Sequence, residues 1–308
     1  MSTEIRKNLL PLGALAAGFG LASAALAQSP APAEPAEATL PQIRVKAAAE
    51  PTGKESYQAT QTGIGKGKQD LRDIPQSITV VTERLIDDRN LDTLKQALHN
   101  TAGISFMAAE GGEEDIRLRG FSLAATGDIF VDGLRDPAFY DRDTFNNDRI
   151  ELLRGSASML FGRGSTGGAV NQVSKLPRAM DEHQVDLTLG NHQYGRLVGD
   201  FNFRLGAEAA LRVGAMVTKA DNNGAGSSLD KKGAAATLRW GIGTRDEFSI
   251  AGTFLDNNNG MNYGMPWVRP NATSTVEETT LLPLDPKAYY GLASDINGGQ
   301  ASTLTATH

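Results

Sequence analysis

The residues whose spacing first suggests chemistry are the glycines of GRGSTG, where Gly162, Gly164 and Gly167 spell G-x-G-x-x-G. In that fingerprint glycines let a backbone close on a pyrophosphate, with a strand before the turn and a helix N-terminus after it. Neither flank fits. Ala157–Phe161 reads as a helical turn packed by Met159, Leu160 and Phe161, and GGAVNQVSKLP runs to Pro177 without helical length. Gly167 is followed by Gly168 rather than by Lys and a hydroxyl residue, which excludes a Walker loop as well. The glycines suit instead places where backbones approach too closely for a Cβ or where φ turns positive. Arg154 and Arg163 bracket the segment, with Glu151 available to pair with either.

Other reactive constellations are missing from the sequence. There is no G-x-S-x-G, no H-E-x-x-H and no His–Ser pairing, so hydrolase and transferase chemistry have no carrier. His99, His183, His192 and His308 are scattered without metal-ligand spacing, and the absence of Cys removes disulfides, thiol nucleophiles and thiolate sites. Glu110, Glu113, Glu114 and Asp115 read as a solvated or loop surface rather than a catalytic pair. With 36 acidic and 30 basic residues in mixed order, net charge -6, no basic field is offered to nucleic acid. The expectation is a protein that is not an enzyme and holds neither a metal nor a cofactor of its own.

Any function must then rest on how the chain positions its loops. Arg6 and Lys7, an apolar run from Leu9 and the small-residue site Ala25-Leu26-Ala27 predict a signal peptide over 1–27. QSPAPAEPAEATLPQ is too poor in apolar surface to repay ordering, so 28–59 reads as a flexible tail. Residues 60–177 read as a mixed α+β domain. A short alternating run at Ser77–Val81 leads to a helix start at Thr82. A second helix carries Leu91, Leu94 and Leu98, with Asn90 or Asp92 as cap and Gly103 as terminator. Short strands are expected at 114–119, at 129–131 before Asp132-Gly133, and at 149–153.

From about residue 183 the period becomes two. Leu197, Gly199, Phe201, Phe203 and Leu205 share a face opposite Asp200, Asn202 and Arg204, and the pattern returns at 209–218, 234–242 and 248–254. Runs of this length suit tilted bilayer-crossing strands. Turns are expected at 205–208, 221–233, 241–247 and 256–260, and a long loop after them. Alternation alone also fits a soluble β-sandwich. About five or six such strands fit, and ASTLTATH does not read as a closing strand. An open transmembrane sheet leaves backbone groups unpaired in hydrocarbon, so the expectation is the first part of an incomplete barrel.

DIPQSITVVTERLIDDR, LDTLKQALHNTAGI, IRLRGF with Arg117, Arg119 and Gly120, IFVDGLRD with Asp132 and Gly133, and RIELLRGSASMLFGRGSTGGAVNQVSK with Arg154, Gly155, Gly162, Gly164, Gly167 and Gly168 occur in this order. Together with NYGMPW at 262–267 they resemble the plug and early barrel of TonB-dependent outer-membrane receptors, in particular ferric siderophore receptors of the catecholate group. The resemblance implies a mixed α+β plug domain at 60–177, followed at 178–308 by antiparallel transmembrane strands of a barrel of about twenty-two. It implies an outer-membrane location, lipid around the barrel, and a TonB box at Leu40, Pro41, Gln42, Ile43, Arg44 and Val45 for β-augmentation by TonB. The implied cargo is a ferric siderophore, iron being held by the siderophore. Cobalamin, haem or another substrate shares these motifs, and a non-transporting surface binding module is the reading from another class. In the family, ligand meets apical plug loops, here Phe121–Gly127 and Arg135–Thr144. Arg135 and Arg142 offer charge-assisted hydrogen bonds, and Phe139 and Tyr140 offer stacking surfaces for catechol rings. Pairing of the two arginines with Asp136, Asp141 and Asp143 is the alternative.

Overall fold

In the C-terminal part of the chain the alternating pattern puts apolar side chains outward and polar ones against the rest of the molecule. The structure is a computed structural model that describes residues 53–308 apart from 66, 108–113, 137–138, 163–164, 222–227, 262, 266, 286 and 293. The expected signal peptide, the expected box at Leu40–Val45, Glu110, Glu113, Arg163, Gly164, and Asn262 and Pro266 of NYGMPW lie outside the described residues.

The described chain opens with a 3-10 turn at Gly53–Glu55, where Lys54 donates to Glu182 at 3.2 Å, so the last residues of the expected 28–59 tail are packed. The pair β1 (Gln61–Thr62) and β2 (Gln69–Asp70) and then β3 (Ile78–Thr82) follow in the first unit. Thr82 caps α1 (Glu83–Asp88) by accepting the Leu85 N–H, as its position before the apolar run predicts. The second helix, α2 (Leu94–Leu98), is capped by Thr93 rather than by Asn90 or Asp92. Gln96 completes a capping box, returning its side-chain oxygen to the Thr93 N–H, and this reciprocal pair fixes the start. Next come β4 (Ile104–Met107), β5 (Asp115–Leu118), β6 (Phe121–Ser122), α3 (Leu123–Thr126), β7 (Ile129–Val131) and β8 (Leu134–Arg135). The unit closes with β9 (Asn147–Arg154), α4 (Ser158–Phe161) and β10 (Gly168–Ser174).

Five strands form one sheet in the order β3-β9-β10-β7-β8, parallel only between β10 and β7, and β4-β5-β6 form a second sheet. Between the sheets and helices lie Leu94, Leu98, Ile116, Leu118, Leu123, Ile150 and Val170, all buried. The glycine segment belongs to this architecture. β10 follows it as a strand, not a helix, and pairs back on β9 with Gly168 opposite Arg154.

Six long strands follow: β11 (Glu182–Leu189), β12 (Gly195–Arg204), β13 (Ala209–Ala220), β14 (Leu229–Trp240), β15 (Phe248–Gly260) and β18 (Ile296–Thr307). They form an antiparallel meander in the order β11-β12-β13-β14-β15-β18 that does not close. Between β15 and β18 a small hairpin pairs β16 (Trp267–Val268) with β17 (Thr280–Leu281). Two expected turns are corrected. Residues 229–233 and 256–260 continue strands, because Lys231 and Asn257 face the first unit and their backbones stay in register. Residues 296–299, expected in a loop, open β18, which pairs with β15 over twelve positions.

The outward face carries Val185, Leu187, Leu197, Phe203, Val217, Leu238, Ile250, Phe254 and Leu304, all exposed. The inward face carries Arg196, Asp200, Asn202, Arg212, Thr218, Lys231, Asn257 and Asn259, all buried against the first unit. This inversion of the soluble pattern is that of a lipid-facing wall with a polar interior. No helix among the described residues is long and apolar enough to cross a membrane, which leaves crossing by strands unaffected.

Candidate ligand-binding site

The segment after β7 turns at Asp132-Gly133 and returns across the top of the five-stranded sheet. Asp132 fixes the turn by accepting the Ser174 N–H, and the Gly133 N–H donates to the Asn171 side chain at 2.9 Å. Arg135 is exposed, with its guanidinium 6.0 Å from the centre of the Phe130 ring. A Cβ on Gly127, the left-handed cap of α3, would come within 2.8 Å of Arg135 Nη1. The two loop stretches expected to meet a ligand therefore touch at this point. Phe121 and Phe139 are both exposed, Phe139 by 53 %.

Phe139 has φ +65°, a left-handed conformation unfavourable for an aromatic residue, so its surroundings must hold it. They do so through the residues that follow. The Tyr140 hydroxyl donates to Asp136 at 2.9 and 3.0 Å, and burial together with that carboxylate pushes the phenol well above its ordinary range. Arg142 Nε donates to Asp136 at 2.6 Å, its Nη1 donates to Glu114 at 3.1 Å, and the guanidinium lies 4.4 Å over the Tyr140 ring.

This corrects the expectation that Arg142 meets ligand directly. Its side chain is 1 % exposed and its charge is neutralised by Glu114 and Asp136. Glu114 and Asp115 are corrected too. Both are buried rather than solvated, Asp115 holding Arg117 at 2.9 Å and Ser122 at 2.6 Å.

The loop is also fastened to the strand wall. Arg196 grips Asp143 with two nitrogens at 2.7 and 2.9 Å and approaches Asp92 at 3.3 Å. Lys231 pairs with Asp141, whose carbonyl accepts from Asn257 at 2.8 Å. Phe145 abuts the inner wall so closely that a Cβ on Gly233 would lie 2.7 Å from its ring. A second cluster lies elsewhere on the same wall. Lys175 lies 3.1 Å from both Glu83 and Asp200, while Arg212 reaches Asp200 at 2.6 Å and Glu83 at 3.6 Å. These wall contacts were not foreseen, although charged residues on the polar face of alternating strands were their sequence signal.

The remaining motif residues hold backbone. Arg119 and Gly120 form the left-handed turn between β5 and β6. Arg154 donates to the Ala102 carbonyl at 3.1 Å and to Thr79 at 2.8 Å, and Glu151 pairs with Arg149 at 2.9 Å, so of the two partners expected for Glu151, Arg154 is used elsewhere and Arg163 lies outside the described residues. Arg149 has the closer approach from its own strand. Gly155 donates to the Gly167 carbonyl at 3.0 Å, and Gly162 ends α4 with its N–H on Ser158 at 2.8 Å. Added Cβ atoms on Gly167 and Gly168 would lie 2.4 Å from the Leu118 carbonyl oxygen and 2.0 Å from that of Leu153. Close backbone packing explains these two glycines. Among the described residues no group of three or more His, Asp or Glu is placed to hold a metal.

Residues 70–169 match the TonB-dependent receptor plug domain. A probable TonB-dependent receptor BfrD of Bordetella pertussis is 32 % identical over 248 residues, covering 79 % of this chain and 33 % of the relative. The probable TonB-dependent siderophore receptor PiuA of Acinetobacter baumannii is 29 % identical over 240 residues, 76 % of this chain and 32 % of that one. The crystal structure of the ferric-catecholate import receptor Fiu from K12 E. coli in its closed form superposes with TM-score 0.72 at 25 % identity, covering 83 % of this chain and 37 % of that chain. A plug-like unit pinned inside an apolar-out, polar-in sheet goes with these likenesses: residues 70–169 match the plug of TonB-dependent receptors, and most of the chain is similar to receptors of that class. PiuA and Fiu are named as siderophore or ferric-catecholate receptors, and the chain spans about a third of the length of the relatives it matches.

Proposed function

We propose that this chain forms the ligand-facing plug and the opening wall of an outer-membrane receptor that takes up a ferric siderophore with energy from TonB. The observation that carries the reading is that an exposed cation, Arg135, and an exposed aromatic, Phe139, stand on one loop braced from below and from the wall. An anionic ferric chelate with aromatic rings needs both charge-assisted donors and stacking surfaces. Likeness to a receptor named for ferric catecholate favours catecholates over hydroxamates. Iron stays within the siderophore, the outward apolar face meets outer-membrane lipid, and Leu40–Val45 is the strand offered to TonB. Uptake of this kind needs binding and release without covalent chemistry.

Quenching of intrinsic fluorescence by ferric catecholate, ferric hydroxamate and cobalamin tests the reading. Ferric catecholate should bind most tightly, and Arg135→Glu should weaken it by roughly tenfold or more through loss of a charge-assisted contact. Binding of cobalamin alone would sink the assignment.

A further inference from the structure

The acidic run at 110–115 reads from sequence as surface, yet Glu114 is only 3 % exposed. Its carboxylate joins three pieces of chain. One oxygen accepts the Lys95 N–H at 3.1 Å, in the first turn of α2. The other accepts the Arg142 N–H at 3.3 Å and the Arg142 guanidinium at 3.1 Å. From Arg142 the connection runs to Asp136 and Tyr140, closing a ring of hydrogen bonds around the base of the left-handed Phe139. The Arg142 backbone is committed as well, since the Leu94 N–H donates to its carbonyl at 3.2 Å.

We propose that Glu114 is a positioning residue for the ligand face: through Arg142 it sets the Tyr140–Phe139 kink that presents the aromatic surface. The inference rests on the siderophore reading for what the face binds, and on geometry alone for how the face is held.

The charged and titratable groups facing Glu114 among the described residues are Arg142, Asp141, Asp136 and Tyr140 of the loop, with Lys95 contributing backbone. Burial raises the Glu114 carboxyl to about 7 against the opposing pull of Arg142. Opening the ring to water returns the group toward its ordinary value, so the closed ring binds more protons in the interval between. The sign follows: the closed ring is favoured by acid and opens more readily as pH rises through about 7.

Hydrogen exchange of the unliganded protein in detergent micelles tests this, with rates corrected for the intrinsic pH dependence. Glu114→Ala should speed exchange at residues 139–145 by roughly tenfold or more, since charged hydrogen bonds are lost, while amides of β9 and β10 keep their protection. In the wild type, exchange at 139–145 should quicken as pH rises from about 6 to 8, and Glu114→Gln should lack that step. If Glu114→Ala does not fold, the Gln comparison decides. Unchanged exchange at 139–145 in Glu114→Ala, or a pH step that persists in Glu114→Gln, overturns the proposal. A folded Glu114→Ala should also bind ferric catecholate about tenfold more weakly. Failure of the wild type to bind any probe would count against the siderophore reading, and it stays distinguishable because exchange is measured without ligand.

Discussion

Arg142 and Arg135 stand seven positions apart on one loop, and the difference between them is burial. In sequence both are cations among aspartates, and nothing local separates a cation that meets ligand from one that holds the loop. The structure separates them through a residue far along the chain: Arg142 finds Glu114, 28 positions away, and is withdrawn from solvent. Removing it strands two buried carboxylates. Arg142→Ala should therefore cost about 3–5 kcal/mol of stability, measured by denaturant unfolding in micelles, because uncompensated buried charge is expensive. Charge reversal there should disrupt the loop itself. A loss of binding with stability unchanged would place Arg142 at the ligand after all.

At the scale of elements, the sequence was readable wherever a local rule decided. Thr82 starts α1, Ile129–Val131 is a strand, and the run after the glycines has no helical length. Asn90 or Asp92 was the expected cap of α2, and Thr93 takes the position because Gln96, three residues on, completes a capping box with it. DNNNG at 256–260 has turn composition but stays extended because Asn257 and Asn259 face a polar interior. The glycine run was legible as close packing but not as to which backbone it meets. Gly168 lies against the Leu153 carbonyl with φ +138°, so Gly168→Ala should destabilise by about 3 kcal/mol or more. Gly206, with nothing within 4 Å of its added Cβ, should accept Ala within about 0.5 kcal/mol. Equal effects in denaturant titrations would refute the packing explanation.

For the whole molecule, period two announced the wall, and the polar residues on one of its faces were visible in sequence. What they touch was not, since each partner is fixed by docking of the two units. The outward face makes its own prediction. Ala215 lies near the middle of β13, level with Gly199 and Ala234 on its neighbours. Arg there should cost about 2–4 kcal/mol of folding stability in bilayers, as for charges at the midplane of such walls. An effect of that size in detergent as well would argue against lipid as the cause. The fastening of loop to wall is uneven. Among the described residues the ion pairs reach β11 to β14, Lys54 pairing with Glu182 of β11, whereas towards β15 and β18 a cleft of about 320 Å³ separates Arg135 and Asp136 from Thr253 and Leu304. Two of the charged links join segments close in chain order, Asp143 to Arg196 across 53 positions and Lys175 to Asp200 across 25, while Asp141 reaches Lys231 across 90. Biogenesis inherits a timetable from this. Once the chain has been delivered as far as Lys231, the clasps that Arg196, Arg212, Lys175 and Lys231 make among the described residues have both their halves, so the first unit can be seated before later strands arrive.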